Sequence, residues 1–332
     1  MKALILAGGF GTRLRPLTYS RPKHLLPIAN VPHIEHVFDL LQRHGVDDVV
    51  LLTSYLAEAF DATVEQAALR GLTVEVAHEI EPLGTAGALK NAQELVGDGT
   101  FLAFNGDVLT DVDLDAIVAW HGERGAEATI VLTPVDDPSA YGVVPTERSG
   151  RVLGFIEKPP RDEAPTNLIN AGVYVLEPRV LDRIPQGSVY SAERELFPEI
   201  VAEGRMYALG TTAYWMDIGT PEKFLQANLD ALSGRYSFDR MRPPDKGSNL
   251  LAEGARVHPS ARVSSSCLGS GARVDAGATV ERAVLLPGAV VGSDATVRNS
   301  TLGEAARVEA GVEVDAAAIA DGETIGGQPT NA

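Results

Sequence analysis

The sequence predicts two successive architectures: a Rossmann-like, doubly wound α/β domain with a mostly parallel sheet over residues 1–235, and a left-handed parallel β-helix over residues 251–332. Short apolar runs alternate with helical patterns through the first two thirds of the chain. Aliphatic residues then return every 17 positions through the last quarter, and a polar, proline-broken stretch at 236–250 separates the two patterns as a linker.

In the first range, Ala3–Leu6, Val49–Thr53, Leu72–Ala77, Phe101–Phe104 and Thr129–Thr133 are near-continuously apolar, as parallel strands covered on both faces should be. Helical patterns fill the gaps: His33–His44 stopped by Gly45, Leu56–Arg70 stopped by Gly71, Thr85–Leu95, and Leu114–Glu123. Ligands on such sheets bind beyond the carboxyl ends of the strands, so the residues after each strand carry the functional interest.

In the last range, Val257, Val274, Val291, Val308 and Ile325 form one series, Val263, Val280, Val297 and Val314 a second, and Leu268, Leu285, Leu302 and Ile319 a third. Steps of five and six residues suit no helix. They suit a coil with three flat sides, one aliphatic residue per side pointing inward. Alanines two positions earlier (Ala255, Ala261, Ala272, Ala278, Ala289, Ala295, Ala306) and corner glycines (Gly254, Gly271, Gly277, Gly288) fit the tight turns and explain much of the glycine content.

Charge and cysteine usage restrict the function. A net charge of −17, from 45 acidic and 28 basic residues, argues against nucleic acid or an anionic membrane as partner. No apolar run reaches the ~18–20 residues of a membrane span. A single cysteine, Cys267, leaves no intramolecular disulfide and suits a reducing cytoplasm. The N-terminal apolar stretch lacks a small-x-small cleavage site and is followed at once by Arg13 and Arg15, so it is not read as a signal peptide. The segment before Glu35 holds Lys2, Arg13, Arg15, Arg21 and Lys23 and no acidic residue, so an anionic ligand there meets a locally basic surface.

The first strand runs into Ala7-Gly8-Gly9-Phe10-Gly11-Thr12-Arg13-Leu14-Arg15-Pro16. It is neither a P-loop, which needs Gly-Lys-Ser/Thr, nor a dinucleotide fingerprint, whose third glycine is replaced by Leu14. Glycines after a parallel strand still let backbone N–H groups approach a polyphosphate, and Pro16 favours a loop that could close over a ligand.

Leu6-Ala-Gly-Gly-Phe-Gly-Thr-Arg-Leu-Arg-Pro-Leu-Thr18 followed by Arg21-Pro-Lys-His-Leu-Leu-Pro-Ile28 resembles the signature of the sugar-1-phosphate nucleotidyltransferases. The resemblance continues through Glu81–Gly87, Asn105-Gly-Asp107, Glu157-Lys-Pro159, Asn170-Ala-Gly172 and Trp215–Pro221. It implies a reaction in which the phosphate oxygen of a sugar 1-phosphate attacks the α-phosphorus of a nucleoside triphosphate and pyrophosphate leaves. A phosphate monoester is already ionised near neutrality, so no general base is required, and none is evident in the sequence. The resemblance assigns catalytic roles to Arg13, Lys23, Asp107, Lys158 and Asp217, with Mg²⁺ on Asp107 and Asp217. It places the nucleotide on Leu6, Ala7, Gly8, Gly9, Gly11, Thr12, Arg13, Lys23, Glu79, Pro82, Gly84 and Thr85, and the sugar phosphate on Asn105, Gly142, Glu157, Lys158 and Asn170.

Glu79 bears on the base. Thymidylyl- and uridylyl-transferring relatives usually have glutamine there, whereas GDP-mannose-forming ones resemble this chain. A carboxylate only accepts hydrogen bonds, and the guanine edge offers two neighbouring N–H donors. GTP is therefore the expected nucleotide, and the resemblance to GDP-mannose-forming relatives makes mannose 1-phosphate the first-choice sugar phosphate. A glucose-1-phosphate thymidylyl- or uridylyltransferase is the alternative within the class, and a catalytically silent nucleotide-sugar-binding subunit or an acyltransferase on the β-helix are the alternatives outside it. Joint retention of the five catalytic residues favours the enzyme. His33 and His36 lack a third metal ligand, His258 opens the repeat without an inserted loop, and Cys267 stands beside a repeat position, so all four are read as structural. The open edges of the β-helix suggest a homo-oligomer.

Overall fold

The computed structural model describes residues 1–54 and 56–326, so the last positions of the expected β-helix range, 327–332, lie outside the described residues. Packing divides the chain into two compact units, cut elsewhere than at the linker. One holds residues 1–9 and 37–215; the other holds residues 10–36 and those from 216 onward.

The first unit is built on a mixed sheet of β1 (Lys2–Leu6), β2 (Asp48–Thr53), β3 (Thr73–His78), β4 (Phe101–Asn105), β5 (Ala128–Pro134), β6 (Gly142–Val143), β7 (Ile156–Glu157), β8 (Leu168–Leu176) and β9 (Met206–Gly210). The order is β7-β6-β8-β4-β1-β2-β3, with β5 pairing β8 and β9. Strands β4, β1, β2 and β3 are mutually parallel, as expected. The Thr129–Thr133 strand is not next to them: β8 inserts antiparallel to both β4 and β5. Helices α2 (Asp61–Leu69), α3 (Gly84–Asn91), α4 (Gln93–Val96), α5 (Leu114–Arg124) and α6 (Phe197–Ala202) accompany the sheet, and α1 (His33–Arg43) begins in the second unit and continues in the first.

Period-two alternation explains why these strands read as unbroken apolar runs. Leu4, Val50 and Ala103 share one buried cluster with Ala86 and Leu89 of α3 and Phe197 and Ile200 of α6. Their neighbours Ala3, Ile5, Val49, Leu51, Leu102 and Phe104 point to the opposite face and are buried too. The Leu72–Ala77 run departs from this. β3 is the end strand of the sheet and Glu75 and Val76 are exposed, because an edge strand is covered less completely. The expected Leu56–Arg70 helix starts with a 3₁₀ turn, Ala57–Phe60, before α2.

In the second unit, α7 (Pro221–Leu232) is capped by the Thr220 hydroxyl, with Pro221 in its first turn. The β-helix follows with three parallel faces, and pairs such as Val257↔Val274, Val263↔Val280 and Leu268↔Leu285 reproduce the 17-residue period as strand register. Its buried column includes Val274, Val280, Leu285, Val291, Val297, Leu302 and Val308 with the expected alanines. Gly254, Gly271, Gly277 and Gly288 take positive φ at the corners. The coil is thus the left-handed hexapeptide-repeat β-helix that the repeat implied.

Residues 236–250 are less of a free linker than their polarity suggests. Tyr236 and Phe238 are buried, and their rings pack against His36. His36 donates and accepts entirely inside the protein, with Nε2 facing the carbonyls of Ile28 and Val31 and Nδ1 facing the Tyr236 hydroxyl. Burial, followed by the nearby His33, pulls its pKa down to about 3, so it is a neutral core residue with both ring nitrogens engaged by protein groups. Cys267 is fully buried, and burial pushes its thiol up to about 12, which leaves it inert. His258 is bonded to Ser260 in its own turn. No helix among the described residues is long and apolar enough to cross a membrane.

Candidate active site

In the first unit, motif residues gather beyond the carboxyl ends of β1, β2, β3 and β4. Gly106 N–H donates to the Leu6 carbonyl at 3.0 Å, which sets the Asn105-Gly-Asp107 turn beside the end of β1. Ser54, directly after β2, donates its hydroxyl to the Gly8 carbonyl. A Cβ on Gly8 would stand 2.9 Å from Ser54 Oγ and 3.4 Å from Glu79 Oε2, so only glycine lets these groups close in.

Glu79 follows β3, and its N–H is bonded to the Thr53 carbonyl at 2.8 Å. Although it follows an exposed edge strand, the residue is only 6% exposed. Oε1 is buried with no hydrogen-bond partner in the protein. Burial pushes its pKa up to about 6, partly opposed by a bond from the Leu83 N–H. A buried acceptor left without a donor costs on the order of 1–3 kcal/mol, which a ligand donor would recover.

The glycines of Glu81–Gly87 are required by close backbone packing. A Cβ on Gly84 would meet the Tyr190 carbonyl at 2.8 Å, and one on Gly87 the Ser188 carbonyl at 2.6 Å. Ala86 and Gly87 N–H groups both donate to the Tyr190 carbonyl. Thr85, expected on the nucleotide, donates to Glu193 at 2.9 Å and accepts from Ala192 N–H at 2.8 Å. Its hydroxyl is therefore engaged in holding the 188–193 segment. Pro82 is exposed beside this turn.

The sugar-side residues sit on β6, β7 and β8. Gly142 pairs with Glu157, and a Cβ on it would lie 3.2 Å from Glu157 Oε2. Lys158 N–H donates to the Tyr141 carbonyl, and Lys158 itself is held at φ +49°, a left-handed conformation that costs a non-glycine residue roughly 1–2 kcal/mol. Both Glu157 and Lys158 are exposed, their charged ends 3.6 Å apart. The Asn170-Ala-Gly172 motif coincides with a register shift in β8. There the Asn170 amide accepts from Gly172 N–H and donates to the Tyr174 hydroxyl, each at 2.8 Å. Tyr174 in turn faces Glu193, so a chain of side chains joins Asn170 to Thr85. Asn105 Oδ1 is a second buried acceptor without a protein partner. Trp215 donates its Nε1–H to the Ala171 carbonyl and presents an edge-to-face contact to Tyr141.

In the second unit, the signature loop closes on itself: Thr18 Oγ1 donates to the Gly11 carbonyl at 2.8 Å, and Gly11, at φ +61°, lies against Thr18 and Lys23. Lys23 opens a short 3₁₀ turn, Lys23–Leu25. Arg13 and Thr12 are exposed on the preceding turn. Asp217 accepts from Gly219 N–H at 2.9 Å and pairs with the Lys223 ammonium, and Arg13 reaches the same place: a Cβ on Gly219 would lie 2.7 Å from Asp217 Oδ1 and 3.1 Å from Arg13 Nη2. The loop, expected to be free to close over a ligand, is instead docked on the β-helix by bonds from Ser20, Arg21 and Asn30.

Sequence reasoning missed Ser54, Tyr174, Glu193 and Lys223. Ser54 could have been found from its place directly after a strand. Tyr174, Glu193 and Lys223 carry no such signal, because their roles arise from contacts across the fold.

A family model described as nucleotidyl transferase matches residues 2–234, and one described as GlmU-like C-terminal hexapeptide matches residues 239–327. The chain is 40% identical over 286 residues to a mannose-1-phosphate guanylyltransferase of Mycobacterium tuberculosis, covering 85% of this chain and 79% of that one. It is 43% identical over 284 residues to a probable mannose-1-phosphate guanylyltransferase of Arabidopsis thaliana, covering 81% and 74%. Among solved structures, HddC from Yersinia pseudotuberculosis in complex with GMP-PN is similar with a TM-score of 0.60 and 30% identity, covering 68% of this chain and 97% of that one. Motifs, fold and relatives agree: the chain belongs to the nucleotidyl transferase family and carries a GlmU-like hexapeptide domain.

Proposed function

We propose that the protein condenses mannose 1-phosphate with GTP to give GDP-mannose and pyrophosphate. The observation that carries this reading is Glu79: a buried carboxylate oxygen with no protein partner, beside Gly8, suits the paired N1–H and N2–H₂ donors of guanine. The single N–H of uracil or thymine is flanked by carbonyl oxygens that would face the same charge. The names of the relatives from Mycobacterium tuberculosis and Arabidopsis thaliana support the same substrates.

The chemistry needs orientation and charge neutralisation more than proton transfer. An oxygen of the sugar phosphate forms a bond to the α-phosphorus as the bond from that phosphorus to the β-bridging oxygen breaks, and the electron pair leaves with pyrophosphate. Arg13 and Lys23 neutralise the triphosphate, Lys158 holds the phosphate of the sugar, and Glu157 and Asn170 accept and donate to sugar hydroxyls. Asp107 and Asp217 are hard carboxylate donors of the kind that Mg²⁺ takes in ones and twos beside phosphate oxygens. Asp217 is also paired with the Lys223 ammonium, a cation that Mg²⁺ would join or displace there. When bound, Mg²⁺ would supply charge neutralisation at the α-phosphate.

The buried, lone Cys267 supports a cytoplasmic location. The parallel faces of the β-helix offer strand edges and coil ends for association and support a homo-oligomer, which light scattering on the full chain tests. The central test is a matrix of GTP, dTTP, UTP, CTP and ATP against mannose, glucose and N-acetylglucosamine 1-phosphates, reading pyrophosphate release with and without Mg²⁺. The highest kcat/KM for GTP with mannose 1-phosphate, lost on chelation, is expected. A faster reaction of dTTP or UTP with glucose 1-phosphate overturns the assignment.

A further inference from the structure

We propose that the β-helix positions the nucleotide-contacting loop: its coils clasp Ser20 and Arg21 before Lys23 and Asn30 after it, so that the coil stack sets how Lys23 is presented. The proposal rests on the assignment of Lys23 to the triphosphate given above.

The first clasp is a shared carboxylate. Arg21 Nη2 lies 2.7 Å from Asp321 Oδ2 and 2.5 Å from Glu304 Oε2, and the Ser20 hydroxyl donates to the same Asp321 oxygen. The other oxygen, Asp321 Oδ1, accepts the Glu304 N–H at 2.6 Å, which fixes the carboxylate on the coil. The Arg21 side chain is only 19% exposed and that of Asp321 23%, so this pair is screened less than an ordinary surface ion pair. Burial pushes the Asp321 carboxyl up, but the bonds from Ser20, Arg21 and the Glu304 N–H outweigh it and hold the group below the usual range.

The second clasp is an amide. Asn30, at φ +65°, donates from Nδ2 to the carbonyls of Leu250 and Leu268, 3.2 Å from each, and thus bridges two adjacent rungs. Its neighbour Ala29 donates its N–H to the buried Asn228 of α7 at 2.9 Å.

The two clasps use one face of the coil. That face runs Leu250–Leu251, Cys267–Leu268, Val284–Leu285, Thr301–Leu302, Ala318–Ile319, and Glu304 and Asp321 follow its last two strands. At ~4.8 Å per rung, the anchor points stand about three rungs, ~14 Å, apart. Between them the chain carries Pro22 and Pro27, whose fixed φ removes much of the slack. A stack hydrogen-bonded at every rung does not stretch as a loop does, so the spacing of the coil is passed to the segment that holds Lys23. Arg21, Asp321 and Asn30 are positioning residues, acting on the nucleotide through Lys23.

The test uses the full-length protein. Asp321→Ala and the milder Asp321→Asn are expected to raise the KM for GTP, and to weaken GTP binding measured without sugar phosphate, by roughly five- to tenfold, with the KM for mannose 1-phosphate within about twofold of wild type. Arg21→Asp combined with Asp321→Arg is expected to recover most of the loss that each change causes alone. Lys23→Ala is measured in parallel. If Lys23→Ala weakens GTP binding while both Asp321 variants leave it at the wild-type value, the clasp is overturned and the Lys23 assignment stands. If Lys23→Ala leaves GTP binding unchanged, the assignment itself fails and the proposal with it. Equal losses for both substrates, unrescued by the charge exchange, assign the pair a merely structural role and also overturn the proposal.

Discussion

Gly172 lies so close to Asn105 that a Cβ on it would stand 2.8 Å from Asn105 Nδ2, and Gly172 takes φ +73°. Two motifs far apart in sequence, Asn105-Gly-Asp107 and Asn170-Ala-Gly172, thus meet at the bulge of β8. Gly172→Ala is expected to destabilise the protein by roughly 1–3 kcal/mol through backbone strain and collision, and to lower turnover by displacing Asn105 and with it Asp107. Urea unfolding and steady-state kinetics on the same preparation check both parts.

Glu79→Gln is expected to reduce the preference for GTP over dTTP by roughly ten- to hundredfold, since it replaces an acceptor pair by one acceptor and one donor. An unchanged ratio of the two kcat/KM values would falsify the base assignment. Because burial raises the Glu79 pKa to about 6, the ionised form strains the fold. A raised folded pKa means that the favourable contribution is present below the unfolded value near 4.5 and is lost as pH rises through about 6. At pH 8 the Gln variant should therefore be more stable than wild type by on the order of 1–2 kcal/mol without ligand. In the wild-type enzyme, GTP selectivity should fall as pH drops through this window and the carboxylate protonates.

Asp107→Asn and Asp217→Asn each remove one negative charge from the proposed metal ligands while keeping side-chain size. Turnover is expected to fall by roughly 10²- to 10³-fold in each case, with cooperative unfolding preserved. Pyrophosphate release over a Mg²⁺ titration measures the effect, and wild-type activity in either variant removes that residue from the metal site.

Lys158 combines a charge with a left-handed backbone, φ +49°. Lys158→Gly is expected to relieve the strain and leave the protein about 0.5–1 kcal/mol more stable than Lys158→Ala, which keeps the strain. Both variants should raise the KM for the sugar phosphate about tenfold or more and leave the KM for GTP near wild type. Comparison of the two separates the backbone role from the charge.

His36, buried against Tyr236 and Phe238, is held neutral with its pKa near 3. A depressed folded pKa gives stability that is present above the unfolded value of 6.5 and is lost as pH falls toward 3. Between those limits the wild-type protein should lose up to about 1.4 kcal/mol per pH unit from this residue alone. His36→Leu should flatten the acid limb of a stability-against-pH curve, which chemical denaturation at several pH values reads directly.

The parallel core strands, the 17-residue coil and the family were legible without coordinates, because each is a periodic or local pattern: apolar runs at the spacing of buried strands, inward aliphatic residues at coil spacing, and glycine-rich turns after strands. Tertiary packing alone decided what is non-local. It put antiparallel β8 between β4 and β5. It buried Glu79 directly after an edge strand that its neighbours leave exposed. It also engaged Thr85 with Glu193 and bonded Arg21 to Asp321, pairs 108 and 300 residues apart. Side-chain periodicity specifies which face of an element seeks the core, but desolvation of a carboxylate and the closing of an ion pair depend on which distant segment arrives there, and that follows only from how the elements pack.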